Sequence, residues 1–141
     1  MNIFALIVAY NPNLENLFFL INVLNSQNIS TVLIDNNSIN KKDLELSPAN
    51  FNIFLDENMG IAKAQNIGIQ LAKEKLAEYV IFFDQDSTIP DNYINNLMDD
   101  YKQLENQGLK IGAIGPRFID DRHGFYYKTI NLSKFGFRKK M

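Results

Sequence analysis

The sequence predicts an α/β domain built on a mostly parallel central sheet with helices on both faces. Short apolar runs rich in β-branched and aromatic residues alternate with longer segments whose apolar residues recur at helical spacing. Each run ends in a polar cluster, and Gly, Pro or Asn marks most of the changes from one kind of segment to the other. Such alternation implies βαβ units, whose ligands bind outside the carboxyl ends of the strands, where the strand order reverses.

Ile3–Tyr10 reads as the first strand. Asn11-Pro12 ends it, because Pro suits the first helical position and Asn11 or Asn13 can cap the helix. Leu14, Leu17, Phe18, Ile21 and Leu24 then share one helical face. Ser30–Ile34 is expected as the second strand, closing at the turn cluster Asp35-Asn36-Asn37-Ser38. Residues 39–50, polar and carrying Pro48, suit a short helix or a loop, and Phe51–Leu55 a third strand. Asn58-Met59-Gly60 breaks the pattern before a helix over about 61–76, with Ile61, Ala64, Gly68, Leu71 and Ala72 facing inward. Tyr79–Phe83 reads as a fourth strand, buried on both faces. Pro90 is expected to open a helix over about 90–106, with Ile94, Leu97, Met98, Tyr101 and Leu104 on one face. Gly108 stops it, and Lys110–Ile114 reads as a fifth strand ending at Gly115-Pro116. The chain thus divides into an α/β body, 1–116, and a basic, aromatic tail, 117–141.

Composition narrows the function classes. The 141 residues suffice for one domain with a real core, and 46% hydrophobic with 21% charged is ordinary for a soluble protein. The absence of cysteine excludes a disulfide framework, a thiolate metal site and a thiol nucleophile, and fits a reducing, cytoplasmic setting. Ile3–Val8 is too short to span a bilayer and no positive segment precedes it, so a strand is expected there rather than a signal peptide. Net charge is −2, divided as −7 over residues 1–116 and +5 over residues 117–141. The acidic body argues against a nucleic-acid partner. The basic tail is expected to be a solvated segment, with anionic lipid at the inner face of the membrane, or a phosphorylated acceptor, as its functional alternative. The frequent asparagines read as a compositional bias rather than a signal. His123 is expected at the surface, Asp120 and Asp121 in a turn, and Phe125-Tyr126-Tyr127 in a strand or an acceptor-side wall.

The chemistry concentrates in Tyr79–Thr88, where an apolar run meets two carboxylates one residue apart, Asp84 and Asp86. Close carboxylates repel and are costly to desolvate, and a cation between them relieves both. A solvated, Asp-rich capping turn fits this motif equally well. Four strand ends, at Tyr10-Asn11, Asp35-Asn36-Asn37, Asp56-Glu57-Asn58 and Asp84-Gln85-Asp86, would line one edge of a doubly wound sheet. A ring, several amides and several carboxylates there suit a ligand with rings, hydroxyls and a metal-bound phosphate. Asp35 would accept a hydrogen bond from a base or ribose, or else cap its turn. Gly60 can open a helix whose free N–H groups face an anion, whereas Gly68 reads as a packing residue. No GxxxxGK[ST] or GxGxxG stretch occurs, which disfavours P-loop and dinucleotide readings.

Taken together, Val8-Ala9-Tyr10-Asn11-Pro12, Ile34-Asp35-Asn36-Asn37-Ser38, Asn58–Gly68, Phe83-Asp84-Gln85-Asp86-Ser87 and Ile114-Gly115-Pro116-Arg117-Phe118 resemble the N-terminal, donor-binding part of inverting GT-A glycosyltransferases of the family 2 type, in particular the rhamnosyltransferase-like group. The resemblance covers essentially the whole chain and implies a Rossmann-like GT-A fold. It implies that Ala9, Tyr10 and Asn11 border the nucleotide base and that Asp35 bonds the base or ribose. Asn58, Gly60, Gln65 and Asn66 would line the donor pocket together with Gln85. Asp84 would face the ribose and, with Asp86, hold Mg²⁺ or Mn²⁺ against the donor pyrophosphate. The implied reaction moves a sugar with inversion from a nucleoside-diphosphate donor, dTDP-rhamnose first, to a saccharide or lipid-linked acceptor in cell-surface polysaccharide synthesis. Family members continue into an acceptor-binding half that carries the catalytic base, which is therefore expected beyond residue 141. A homo-oligomer and peripheral membrane contact are compatible with the group. Two other readings stand beside this one: a non-catalytic nucleotide-sugar-binding or assembly module, and a receiver-like domain with Asp56 as its sole candidate nucleophile.

Overall fold

The computed structural model describes residues 1–116 and, after them, the backbone of four short strands. It forms two compact units, Met1–Asp91 and Asn92–Met141.

The first unit holds a sheet of four parallel strands: β1 (Ile3–Ala9), β2 (Ser30–Asp35), β3 (Phe51–Phe54) and β4 (Tyr79–Asp84), in the order β3-β2-β1-β4. Three helices connect them: α1 (Leu14–Ser26), α2 (Lys41–Leu44) and α3 (Ile61–Glu74). The chain steps outward from β1 to β2 and β3, then returns through α3 to place β4 on the other side of β1. The order reverses between β1 and β4, which is where an open parallel sheet leaves a crevice at its carboxyl edge.

Strand alternation divides the core between two faces. Phe4, Leu6, Val32 and Ile34 pack with Leu55 and with Ala64 and Ala72 of α3. Gly68 is the point of closest approach: a Cβ added there would lie 2.9 Å from Ile34 Cδ1 and 3.2 Å from Leu6 Cδ1. The packing role expected of Gly68 therefore holds. Ile3, Ala5, Ile7 and Ala9 occupy the other face, and α1, packed against β2, buries Leu17, Leu20, Ile21 and Leu24.

Local chemistry sets the boundaries, and several differ from the sequence expectations. Helix α1 begins at Leu14 because Asn13, in extended conformation, accepts the Asn16 N–H at 3.0 Å, so Pro12 precedes the cap rather than opening the helix. Leu20 is buried where Phe18 was expected. Ile61, also expected inward, is 57% exposed at the start of α3. The far end of α3 is held by Asn2, whose amide donates to the carbonyls of Lys75 and Leu76, both at 3.0 Å. The largest departure is β4: only Phe83 is buried and Phe82 is 47% exposed. Among the described residues β4 is the edge strand of the sheet, so one of its sides lacks the neighbour that burial on both faces would need.

In the second unit, α4 (Tyr93–Asn106) starts three residues after Pro90, following a turn at Asp91-Asn92, and buries Ile94 and Met98. Lys110–Ile114 forms no strand; Gly112 interrupts its short apolar run. The residues read as a tail contain two antiparallel pairs, β5 (Ile119–Asp120) with β6 (Phe125–Tyr126) and β7 (Ile130–Ser133) with β8 (Gly136–Lys139). Asp120 thus lies in a strand rather than a turn, while Asp121, His123 and Tyr127 lie outside the described residues. No described helix is long and apolar enough to cross a membrane.

Candidate functional site

Every candidate residue belongs to the first unit, and the sheet brings the strand ends to a common edge. The register sets Ala9 beside Asp35 and Val8 beside Asp84. Since alternate strand residues face opposite ways, Asp35 shares the α1 face with Ala9, and Asp84 shares the α3 face with Val8.

At the end of β1 the backbone leaves the ladder. Tyr10 is half exposed, and its N–H donates to Gln85 Oε1 at 2.8 Å while Gln85 Nε2 donates to its carbonyl at 3.4 Å. Asn11 adopts a left-handed conformation, φ 49°, which a short amide side chain tolerates. Its N–H donates to Ser38 Oγ at 2.8 Å and its Oδ1 accepts the Ile39 N–H at 2.9 Å.

The end of β2 is sealed. Ala9 and Asp35 are both fully buried, and the carboxylate of Asp35 accepts the Ser38 N–H at 3.1 and 3.3 Å, closing a turn through Asn37. The Asn36 N–H donates to the Ala9 carbonyl at 2.8 Å. The Asn36 side chain reaches the third strand end: its Nδ2 donates to Asn58 Oδ1 and its Oδ1 accepts the Met59 N–H, each at 2.9 Å. Asn58 Oδ1 also accepts the Gly60 N–H at 3.0 Å. This sets Gly60 at φ 78°, ψ 159°, a region essentially restricted to glycine, at the start of α3. Gln65 is half-buried and Asn66 exposed on the next turn of that helix.

The end of β4 is open. The Ser87 N–H donates to the Asp84 carbonyl at 3.0 Å, which closes a tight turn with Gln85 and Asp86 at its centre. Asp84 and Asp86 are both exposed, and among the described residues neither is paired with a Lys or Arg. No group of three or more His, Cys, Asp or Glu gathers among the described residues. Two exposed carboxylate donors nevertheless fit a cation such as Mg²⁺, which keeps several waters and shares oxygens with substrate phosphates.

Residues 5–140 match the glycosyl transferase family 2 model. The chain belongs to that family. It is 43% identical over 143 residues to "dTDP-rhamnosyl transferase RfbF" of Shigella flexneri, an alignment covering 99% of this chain and 46% of that protein. The chain therefore spans less than half the length of this relative. No solved structure matches it.

The family assignment fits the α/β architecture and leaves no support for a receiver with a nucleophilic Asp56, which is simply exposed beyond β3. Sequence reasoning placed Asn36 on this edge without its role as a bridge to Asn58 and Met59, and gave Ser38 no role as the partner of Asn11. Asn36 and Ser38 lie in the Asp35–Ser38 turn, and both are buried polar residues, at 4% and 6% exposure. Their signal was present as polar residues directly after an apolar strand, but their partners, Asn58 and Asn11, are remote in sequence.

Proposed function

We propose that this chain is the donor-binding part of a metal-dependent, inverting glycosyltransferase that takes a sugar from a nucleoside diphosphate, dTDP-rhamnose first. The acceptor is then a saccharide or lipid-linked saccharide, and the product a cell-surface polysaccharide. The observation that carries the reading is the reversal of strand order between β1 and β4, with exposed Tyr10 on one side and exposed Asp84 and Asp86 on the other. The similarity to a dTDP-rhamnosyl transferase supports the choice of donor.

In this reading the Tyr10 ring lies against the base, and Asn11 supports it from the loop it pins to Ser38 and Ile39. Ala9 and Asp35 lie beneath this surface and shape it, Asp35 through the turn it closes. A base or ribose group reaching Asp35 would have to approach through that turn. Asn58, Gly60, Gln65 and Asn66 form the wall at the start of α3. Asp84 faces the ribose, and Asp84 and Asp86 would hold Mg²⁺ or Mn²⁺. When bound, the ion neutralises charge on the departing nucleoside diphosphate. No residue of this chain is assigned as the base that deprotonates the acceptor hydroxyl, and more than half of the relative's length lies outside the aligned region.

Calorimetry with dTDP-rhamnose and UDP-glucose, in Mn²⁺ and in EDTA, tests the proposal. The expected result is metal-dependent binding that favours the dTDP sugar and falls at least about tenfold in EDTA or after Asp86→Ala. Equal affinity in all three conditions would sink the metal assignment. Donor binding by the complete protein, with no transfer or donor hydrolysis, would instead favour a non-catalytic binding module.

A further inference from the structure

We infer that Gln85 is a positioning residue rather than a donor contact: its amide holds the backbone of Tyr10 and so fixes the aromatic side of the crevice relative to the carboxylate side. The inference rests on the donor-site reading above.

Tyr10 is the first residue past β1, so its N–H and carbonyl have lost the strand ladder that serves Ala9. Exposed backbone groups can turn to water, but these two meet one side chain, separated by 75 residues in sequence. Gln85 Oε1 takes the N–H at 2.8 Å and Nε2 reaches the carbonyl at 3.4 Å. The backbone N–H can only donate, which fixes which end of the amide faces it. Gln85 thus acts as one additional residue of the β4 ladder, supplied by a side chain.

Its place in the chain gives this clamp its consequence. Gln85 stands between Asp84 and Asp86 in the turn closed by Ser87. The turn that presents both carboxylates is therefore the one that grips Tyr10. On its other side Tyr10 is followed by Asn11, which is already committed to Ser38 and Ile39. With both amide ends engaged, Gln85 has its best geometry spent on protein rather than on ligand. A residue able only to accept would keep the shorter bond and lose the longer one. An isosteric apolar residue would lose both.

The test uses the full chain in EDTA, with thymidine as the probe, because a neutral nucleoside needs neither metal nor phosphate contacts. Amide exchange and thymidine titration are followed by NMR in the wild type, Gln85→Met and Gln85→Glu. The clamp predicts that the Tyr10 amide exchanges about tenfold faster in Gln85→Met while strand amides of β1 hold. Thymidine affinity should fall about fivefold in that variant, the net worth of one ordinary hydrogen bond, and Gln85→Glu should restore most of both. Weaker thymidine binding in both variants with unchanged Tyr10 exchange would make Gln85 a ligand contact and overturn the inference. Faster Tyr10 exchange with unchanged thymidine affinity would reduce it to a structural clamp. A wild type that binds neither thymidine nor dTDP with Mn²⁺ would remove the donor site itself, and this role with it, whatever the exchange shows.

Discussion

Asp35 and Asp84 end strands on either side of β1, one register position apart, yet the protein gives them opposite surroundings. Asp35 is fully buried on the α1 face, and its carboxylate is spent on the Ser38 N–H. Asp84 is exposed on the α3 face, in a turn whose bonds use its backbone carbonyl and leave the carboxylate outward. The difference follows from position in the sheet. Strand β2 lies between β1 and β3, and its end is roofed by the amides of Asn11, Asn36 and Asn58. Strand β4 lies at the edge of the described sheet and ends in solvent. Two similar strand-to-loop motifs therefore do different work: one braces the loops of the crevice and the other remains available to a ligand.

Substitution should separate these roles. Asp35→Ala removes a buried hydrogen bond and strands the Ser38 N–H, so its unfolding free energy should drop by about 2 to 3 kcal/mol in urea titrations. Asp86→Ala should stay within about 0.5 kcal/mol of wild type in the same titrations, since its side chain is exposed and has no Lys or Arg partner among the described residues. If the two variants lose similar stability, the contrast between braced and open ends is wrong.

A smaller effect is expected at the amide bridge that joins the second and third strand ends. Asn36→Ala removes the contacts to Asn58 Oδ1 and the Met59 N–H. It should cost about 1 to 2 kcal/mol and raise the exchange rate of the Met59 amide, while amides in β4 keep theirs. Faster exchange in β4 as well would mean that the bridge braces the whole edge rather than its β2–β3 side.

Glu78 offers a control at the opposite end of the sheet. Its pKa is held below the ordinary glutamate value, first by the Asn2 backbone N–H and then by the positive N-terminus. A depressed folded-state pKa means stabilisation present above the unfolded value and lost as pH falls through the folded one. Thermal melts should thus show a small advantage of wild type over Glu78→Gln near neutrality that disappears in acid. The effect is the smallest of the set because the group is exposed and water screens it.

Much of the architecture was legible in sequence because it depends on local periodicity. The strands β1 to β3, most of the inward faces of α1 and α3 (Phe18 and Ile61 apart) and the close packing at Gly68 follow from apolar spacing and residue size. The misreading of β4 has a physical source: an apolar run reports what a strand can bury, and its neighbours decide what it does bury. Several of the asparagines, whose frequency reads as compositional bias, also have definite structural roles. Asn11, Asn28 and Asn37 occupy left-handed conformations, and Asn2, Asn13, Asn36 and Asn58 hold backbone or side-chain groups at helix ends and loops. Composition alone could not show this, because the partners of Asn36 and Gln85 are 22 and 75 residues away. For Asp35 the sequence left base contact and turn cap open; the structure displays the cap.

In the proposed donor site the open carboxylates at the end of β4, and not the sealed one at β2, would hold the metal. Titrating Mn²⁺ into the isotope-labelled protein with dTDP and recording paramagnetic broadening of backbone amides tests it most directly. Residues 84–87 are expected to broaden first and Asn36–Ser38 much later, with the early effect abolished in Asp86→Ala. Early broadening centred on Asn36–Ser38, or a pattern unchanged by Asp86→Ala, would contradict it.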